Sequence, residues 1–160
     1  MRMIKMAVLG VAIAFSGTTL VHAHDHAFSF GMPSDSGKAA RIVKIAMLDL
    51  SFQPASVTVK AGETVRFVVT NTSSVDHDFT LGDAKVQADH RAEMAEMAKM
   101  GGDMAAMHAS MGGDDPNAVF VKAGETKELT WTFGKAMHLE FACNIPGHYE
   151  AGMRGTITVR

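Results

Sequence analysis

An eight-residue pattern occurs twice in this chain and constrains its fold more than any other feature. Residues 57–64 read VTVKAGET and residues 119–126 read VFVKAGET, so the two copies differ at one position and lie 62 residues apart. Each copy begins like a strand and then reaches a glycine, Gly62 or Gly124, that suits a turn into the next strand. The repeat therefore predicts two β halves stacked face to face, as a Greek-key sandwich requires.

β-Branched and alternating residues indicate further strands around both copies. We predict strands at 41–47, 57–60, 64–70, 77–81, 119–122, 126–133, 137–143 and 156–160. In the strand at 137–143, alternation places Leu139, Phe141 and Cys143 on the buried face and His138 on the solvent face. The predicted fold class is all-β, a Greek-key β-sandwich or barrel.

A loop near the C-terminus carries three side chains that bind soft or borderline metals. It reads CNIPGHYEAGM from Cys143 to Met153, with His148 midway between them. Thiolate and thioether hold Cu(I), and imidazole suits both copper oxidation states, so this mixture is typical of a copper site. Taken singly, each residue has an ordinary structural explanation. Their combination and order favour metal binding.

This loop and the upstream segment NTSSVDHDFTL at 71–81 resemble the ligand segments of the cupredoxins, the family of plastocyanin, azurin, pseudoazurin and rusticyanin. The resemblance implies a cupredoxin-like Greek-key fold. It also implies that His77, Cys143, His148 and Met153 hold one type 1 copper, with the methionine as a weak axial ligand. The implied activity is one-electron transfer, with His148 as the exit towards a redox partner such as a c-type cytochrome.

One residue departs from the cupredoxin pattern. Asp78 follows the first ligand histidine, where these proteins often carry Asn. A carboxylate there is expected to alter the hydrogen bonds that tune the copper.

The first residues are typical of a secretory signal peptide. A basic start precedes an apolar run at 6–15, which is too short to span a bilayer comfortably, and small residues lead to a predicted cleavage after Ala23. We therefore expect a periplasmic protein without membrane insertion after cleavage. The predicted divisions are a signal peptide at 1–23, a flexible His-containing arm at 24–40, and a cupredoxin domain at 41–160 with a Met/His-rich insertion at 87–118.

Charge and cysteine content restrict the partners. The predicted signal peptide holds two of the 15 basic residues and none of the 17 acidic ones, which leaves a net charge near −4 with histidine neutral. This acidic balance argues against nucleic acid as a partner. The one Cys cannot form an intramolecular disulfide, and an exported thiol is open to oxidation unless a metal occupies it.

The segment 87–118 replaces the usual branched apolar residues with methionine. Its Met and His residues are His90, Met94, Met97, Met100, Met104, Met107, His108 and Met111. The Ala, Glu and Lys background favours a helix that breaks at Gly101-Gly102, and on a continuous helix the last five methionines would share one face. Two interpretations stay open: the methionines pack this helix onto the sandwich, or they and the histidines bind additional Cu(I).

The arm offers a second accessory site if cleavage follows Ala23. The new N-terminus would then be His24-Asp25-His26. The free amine, two backbone amides and the His26 imidazole would form the square-planar nitrogen set that Cu(II) prefers. The alternative is a polar terminus without a binding role.

These features together resemble the small periplasmic copper-resistance cupredoxins of the CopI type, whose task would be the capture of Cu(I) and its oxidation to Cu(II). We favour copper tolerance over a soluble one-electron carrier between respiratory or denitrification partners, because a carrier needs neither the insertion nor the arm. A multicopper oxidase or nitrite reductase fits poorly, since such enzymes need further His-rich copper sites. Whether the protein turns over Cu(I) as an enzyme stays open.

Overall fold

Two β-sheets and a short helical segment make up the part of the chain that the computed structural model describes, residues 28–108, 110 and 115–160. The strands β1 to β10 are Gly31–Pro33, Arg41–Leu48, Ser51–Gln53, Ser56–Val59, Thr64–Asn71, His77–Gly82, Ala118–Val121, Thr126–Phe133, Met137–Ala142 and Arg154–Val159. The helices are α1 at Ala84–Met100 and α2 at Met104–Met107, and a 3-10 turn spans Ser36–Lys38.

The strands are divided between two five-stranded sheets. The first has the order β1-β8-β5-β2-β3 and the second the order β4-β10-β9-β6-β7. Most neighbours are antiparallel, but β2 pairs with β5, and β4 with β10, in parallel. The chain crosses repeatedly from one sheet to the other, which confirms the predicted all-β Greek-key sandwich.

Each copy of the repeat carries the chain from the second sheet to the first, joining β4 to β5 and β7 to β8. In both turns the glutamate N–H donates to the carbonyl of the lysine three residues earlier, at 3.0 and 2.9 Å. Gly62 and Gly124 both have a φ of 78°, as the third residue of a type II turn requires. The prediction that each repeat belongs to its own half of the sandwich is wrong. Each repeat contributes one strand to each of the two sheets.

The two turns hold the same central strand pair. β5 and β8 run antiparallel, so each strand begins beside the end of the other. The Gly62 N–H donates to the Phe133 carbonyl at 2.9 Å, and the Gly124 N–H donates to the Asn71 carbonyl at 3.0 Å. Both turns between the sheets are therefore hydrogen-bonded to the ends of the same strand pair, β5 and β8.

Aromatic and branched side chains fill the space between the sheets. Val65, Phe67 and Val69 alternate inward along β5 and are fully buried. Phe79 of β6 stacks on Phe141 of β9 with ring centroids 5.5 Å apart. These contacts bury large apolar surfaces and fix the two strands from which the candidate site is built.

Residues 28–33 lie in the segment predicted as a flexible arm, and here the structure corrects the prediction. β1 pairs with β8, and Phe30 is 1% exposed with its ring stacked on Trp131 at 5.3 Å. Phe28 contacts the same indole at 5.4 Å. The segment is polar in overall composition, which led to the prediction of a flexible arm. Its two phenylalanines nevertheless bury apolar surface and anchor it to the sandwich. Residues 24–27 lie outside the described residues.

The helical segment follows β6 and breaks where the sequence predicts. The Asp83 carboxylate caps the N-terminus of α1, and Gly101, with a φ of 69°, caps its C-terminus. Asp103 caps the N-terminus of α2 as Asp83 does for α1. This break means that the single methionine face of a continuous helix is not formed. Neither of these described helices has the length and apolarity needed to cross a bilayer.

Replacing Gly62 or Gly124 with alanine should lower the free energy of unfolding by about 1–2 kcal/mol, because a side chain is disfavoured in the left-handed backbone region. No atom lies within 4 Å of a Cβ built at either glycine, so the loss reports backbone strain rather than a clash. Chemical denaturation measures it. Gly37→Ala is the matched control, since Gly37 has equally open surroundings and no positive φ. If Gly62→Ala and Gly124→Ala lower the free energy of unfolding no more than Gly37→Ala does, the two glycines are not in the left-handed turn positions described here.

Candidate metal centre

Three side chains from separate segments meet at one end of the second sheet. His77 begins β6, Cys143 follows β9, and His148 lies in the loop beyond it. The Nδ1 atoms of His77 and His148 are 3.3 Å apart. The Cys143 Sγ atom is 3.8 Å from the first of these nitrogens and 3.3 Å from the second. One nitrogen of each ring and the sulfur thus face a common point.

The loop from Cys143 to Met153 is closed by its own backbone. The Cys143 N–H donates to the Met153 carbonyl at 3.1 Å, and the Met153 N–H donates to the His148 carbonyl at 3.0 Å. Gly147 and Gly152 have φ values of 89° and 99°, which let the chain turn twice within a short loop. Met153 is fully buried. All three candidate ligands of this loop are therefore held by one compact turn.

Burial sets the protonation of the three converging groups. It lowers the pKa of His148, and it lowers the pKa of His77 together with the neighbouring His148 ring. Both imidazoles are neutral near pH 7 and keep a lone pair for a metal. Burial, with the nearby charge of Asp78, raises the pKa of the Cys143 thiol to about 12. A metal that binds the sulfur must therefore displace its proton.

Ser73 orients the His77 ring. Its Oγ atom is 2.9 Å from His77 Nε2, so a proton on Nε2 can be donated to the hydroxyl while Nδ1 keeps its lone pair facing Cys143. The Ser73 hydroxyl lies 2.8 Å from Oδ1 of the buried Asn71, whose amide donates to the Val121 carbonyl at 3.0 Å. The ring orientation is thus tied to β5 and β7.

Asp78, identified in the sequence as a departure from the family, is the polar centre of the surroundings. Its N–H donates to Cys143 Sγ at 3.4 Å. Its fully buried carboxylate accepts from the Asn144 N–H at 3.1 Å and the Thr80 hydroxyl at 2.9 Å. The Asn144 amide also donates to Gln87 of α1 at 2.9 Å. Sequence analysis missed Ser73, Gln87 and Asn144, because a hydrogen bond between distant residues leaves no local pattern.

The Asp78 carboxylate also faces two buried histidines, His90 of α1 and His108 after α2. His90 Nε2 is 3.5 Å from Asp78 Oδ2. Burial alone would lower the pKa of His90, but the Asp78 carboxylate and the charges of Asp115 and Glu93 raise it to about 9. Burial lowers the pKa of His108. Without a metal, His90 is therefore a cation at neutral pH and His108 is neutral.

The predicted accessory residues are dispersed. Met94 and Met97 are buried, as the packing interpretation expects. Met100 is 56% exposed, while Met104 and Met107 are half-buried on α2. Cu(I) binding by the thioethers of this segment stays a prediction. The remaining candidates, His24, His26 and Met111, lie outside the described residues.

The candidate centre reaches the surface at His148, which is half-buried. The histidine lines a shallow groove whose lining includes apolar residues (Val75, Phe120 and Ile145) and charged ones (Asp76, Asp103 and Lys122). The three apolar residues form an apolar rim beside one ligand edge, and Val75 is 47% exposed.

Comparison with known proteins identifies relatives along nearly the whole chain. The family model of copper binding proteins, plastocyanin/azurin family, matches residues 39–160. The copper-resistant cuproprotein CopI of Pseudomonas aeruginosa is 44% identical, with 98% of this chain and 94% of the relative covered. The proteins of the same name from Rubrivivax gelatinosus and Vibrio cholerae are 41% and 35% identical, covering 99% and 94% of this chain and 98% and 96% of their own lengths.

Solved structures of auracyanins have the same fold. Auracyanin B matches with a TM-score of 0.60 and 25% identity, covering 81% of this chain and 96% of its own. Auracyanin A, a blue copper protein from Chloroflexus aurantiacus, matches with a TM-score of 0.58 and 26% identity, covering 74% and 98%. The donor set fits the metal of these proteins, and copper is the cofactor that the family binds. The chain belongs to the plastocyanin/azurin family of copper-binding proteins, the cupredoxins.

Proposed function

We propose that this protein acts in copper tolerance in the periplasm and holds one type 1 copper at His77, Cys143, His148 and Met153. The observation that carries the proposal is the convergence of two imidazole nitrogens and one thiol at 3.3 to 3.8 Å. It is supported by relatives named copper-resistant that match almost the entire chain. The signal peptide predicted at 1–23 supports the periplasmic location.

The donor types suit an ion that changes its oxidation state. The Cys143 thiolate and the Met153 thioether favour Cu(I), and the two imidazoles bind Cu(I) and Cu(II). Copper bound there would supply one-electron chemistry. The chain's own contribution is to orient the donors, through the hydrogen bonds of Ser73 to His77 and of the Asp78 N–H to Cys143.

Oxidation of Cu(I) is the finer activity that we propose for tolerance. Cu(I) would give one electron to an oxidised acceptor, such as the Fe(III) haem of a c-type cytochrome, leaving Cu(II) and Fe(II). The half-exposed His148 edge and the apolar rim at Val75 and Ile145 support electron exit by this route. Because Cu(II) is harder than Cu(I), its release to soft thiolates elsewhere is less favourable.

The same rim favours a second candidate function, a soluble one-electron carrier between respiratory or denitrification partners. A carrier docks through an apolar patch next to a ligand histidine and needs only one copper. Loss of the protein would then slow electron transfer between its partners and leave copper sensitivity unchanged. A tolerance protein predicts the opposite result: its loss would raise copper sensitivity and leave electron transfer between those partners unchanged.

Cys143→Ser should abolish copper tolerance, because serine cannot supply the thiolate. Growth in graded copper is compared in cells that lack the protein and carry the wild type, Cys143→Ser or His138→Ala. His138 is an exposed residue of β9, so its variant should restore growth as the wild type does. Absorption of the purified Cys143→Ser protein checks that the thiolate-to-copper band is gone. If cells carrying that variant still show full copper tolerance, the centre has no role in tolerance.

Ser73→Ala should weaken copper binding about 10- to 100-fold, the usual effect of losing a partner that orients a ligand histidine. The serine hydroxyl lies 2.9 Å from His77 Nε2, and alanine removes that contact without touching a ligand. Competition with a chromophoric chelator measures the affinity. Ser74→Ala, at the exposed neighbouring serine, is the control. Equal affinities for the two variants would show that Ser73 does not position the ring.

A further inference from the structure

We propose that Asp78, His90 and His108 form a second metal site, which binds Cu(II) beside the His77, Cys143, His148 centre. One potential ligand atom from each residue lies within 4.8 Å of the other two. The three residues come from different elements, β6, α1 and the turn after α2. The site goes beyond the tolerance proposal, because it would exist whatever process the first centre serves.

The three side chains are almost completely buried. Asp78 is fully buried, and His90 and His108 are each 5% exposed. The two imidazole rings lie edge to face with centroids 5.8 Å apart. Such burial is unusual for one carboxylate and two imidazoles unless each polar atom has a partner.

The partners are incomplete, which is the observation that points to a ligand. In the described part of the chain, neither His90 Nε2 nor His108 Nε2 has a hydrogen-bond partner. His90 Nε2 is 3.5 Å from Asp78 Oδ2, too far for a good hydrogen bond. An unsatisfied buried polar group destabilises the folded state. One cation bound by the carboxylate and by one nitrogen of each ring would give both imidazoles a polar partner.

A protonated His90 paired with Asp78 explains only part of this arrangement. It balances the charge of the carboxylate, but it leaves His108 Nε2 unsatisfied. It also does not account for a second imidazole packed within ligand distance of the pair. A metal ion takes over the charge balance and uses all three groups.

The donor set selects the ion. One carboxylate oxygen and two imidazole nitrogens contain no soft sulfur, so the site suits a divalent ion rather than Cu(I). Among divalent first-row metals, Cu(II) binds such donors most tightly. An acidic rim would favour entry of cations, because Glu93 and Asp115 lie 3.5 and 3.7 Å from His90 Nδ1 and are 60% and 30% exposed.

The two centres would share one residue. Asp78 follows His77 directly, its N–H donates to Cys143 Sγ at 3.4 Å, and its carboxylate faces the histidine pair. A cation on the carboxylate therefore acts on the thiolate through a single residue. Filling the second site should shift the thiolate-to-copper absorption of the first.

The test uses the full mature chain with Cys143→Ser, which removes the thiolate of the first centre. Bound Cu(II) is counted by equilibrium dialysis in this parent, in the parent with His90→Gln and His108→Gln, and in the parent with His138→Gln as the control. The parent and the control should bind one equivalent more than the double glutamine variant. Copper held elsewhere, including at His24 and His26, is common to all three proteins and cancels.

Spectroscopy locates the extra equivalent. Its electron paramagnetic resonance signal should show coupling to two nitrogens in the parent and lose this component in the glutamine variant. Equal Cu(II) counts and identical signals in all three proteins would overturn the proposal.

A second variant guards against misfolding. His108→Gln alone, with Cys143 retained, should keep a thiolate-to-copper absorption band, which reports an intact fold, at the position it has while the second site is empty, and should lose the second equivalent of Cu(II). If it keeps both, the second site does not exist. Absence of the first centre's absorption in the wild type would instead contradict the proposed type 1 centre, and the count in the Cys143→Ser series would still decide the second site.

Discussion

The pairing of strand β6 with strand β9 positions the first ligands of the metal centre. Their antiparallel pairing places Thr80 opposite Ala142, so the beginning of β6 lies beside the end of β9. The Asp78 N–H then reaches Cys143 Sγ, although 65 residues separate the two in the chain. The stacked rings of Phe79 and Phe141 hold the same two strands from within the core. The thiol and the first imidazole are thus positioned by the packing of the sandwich.

The helical segment is part of this arrangement and not an appendage. A fully buried carboxylate is costly unless it is paired, and Asp78 accepts hydrogen bonds from Asn144 and Thr80, with the charged His90 ring 3.5 Å away. Gln87 of α1 adds a hydrogen bond to Asn144, directly after Cys143. The segment therefore covers the polar side of the metal centre and brings two further histidine donors next to it. Its methionines divide between packing, at Met94 and Met97, and the protein surface, at Met100.

Much of this architecture is readable from the sequence because its signals are local. All eight predicted strands are present with ends within two residues of the prediction, since alternation and β-branching mark each one. β1 and β3 were not predicted, because three residues are too few for a pattern. Cys143, His148 and Met153 stand out by donor chemistry within one loop. The pairing of the repeats and the contacts of Ser73, Gln87 and Asn144 are long-range, and a single sequence does not show which distant segments meet.

The central claim is that the folded chain presents a copper site at His77, Cys143 and His148. Anomalous diffraction at the copper edge, from crystals of the full chain grown with one equivalent of copper, tests it most directly. The account predicts one strong peak bonded to Cys143 Sγ and to Nδ1 of both histidines, with the ligand side chains in the positions described here. A peak elsewhere, or ligands that reach copper only after the loop from Cys143 to Met153 has refolded, would contradict it.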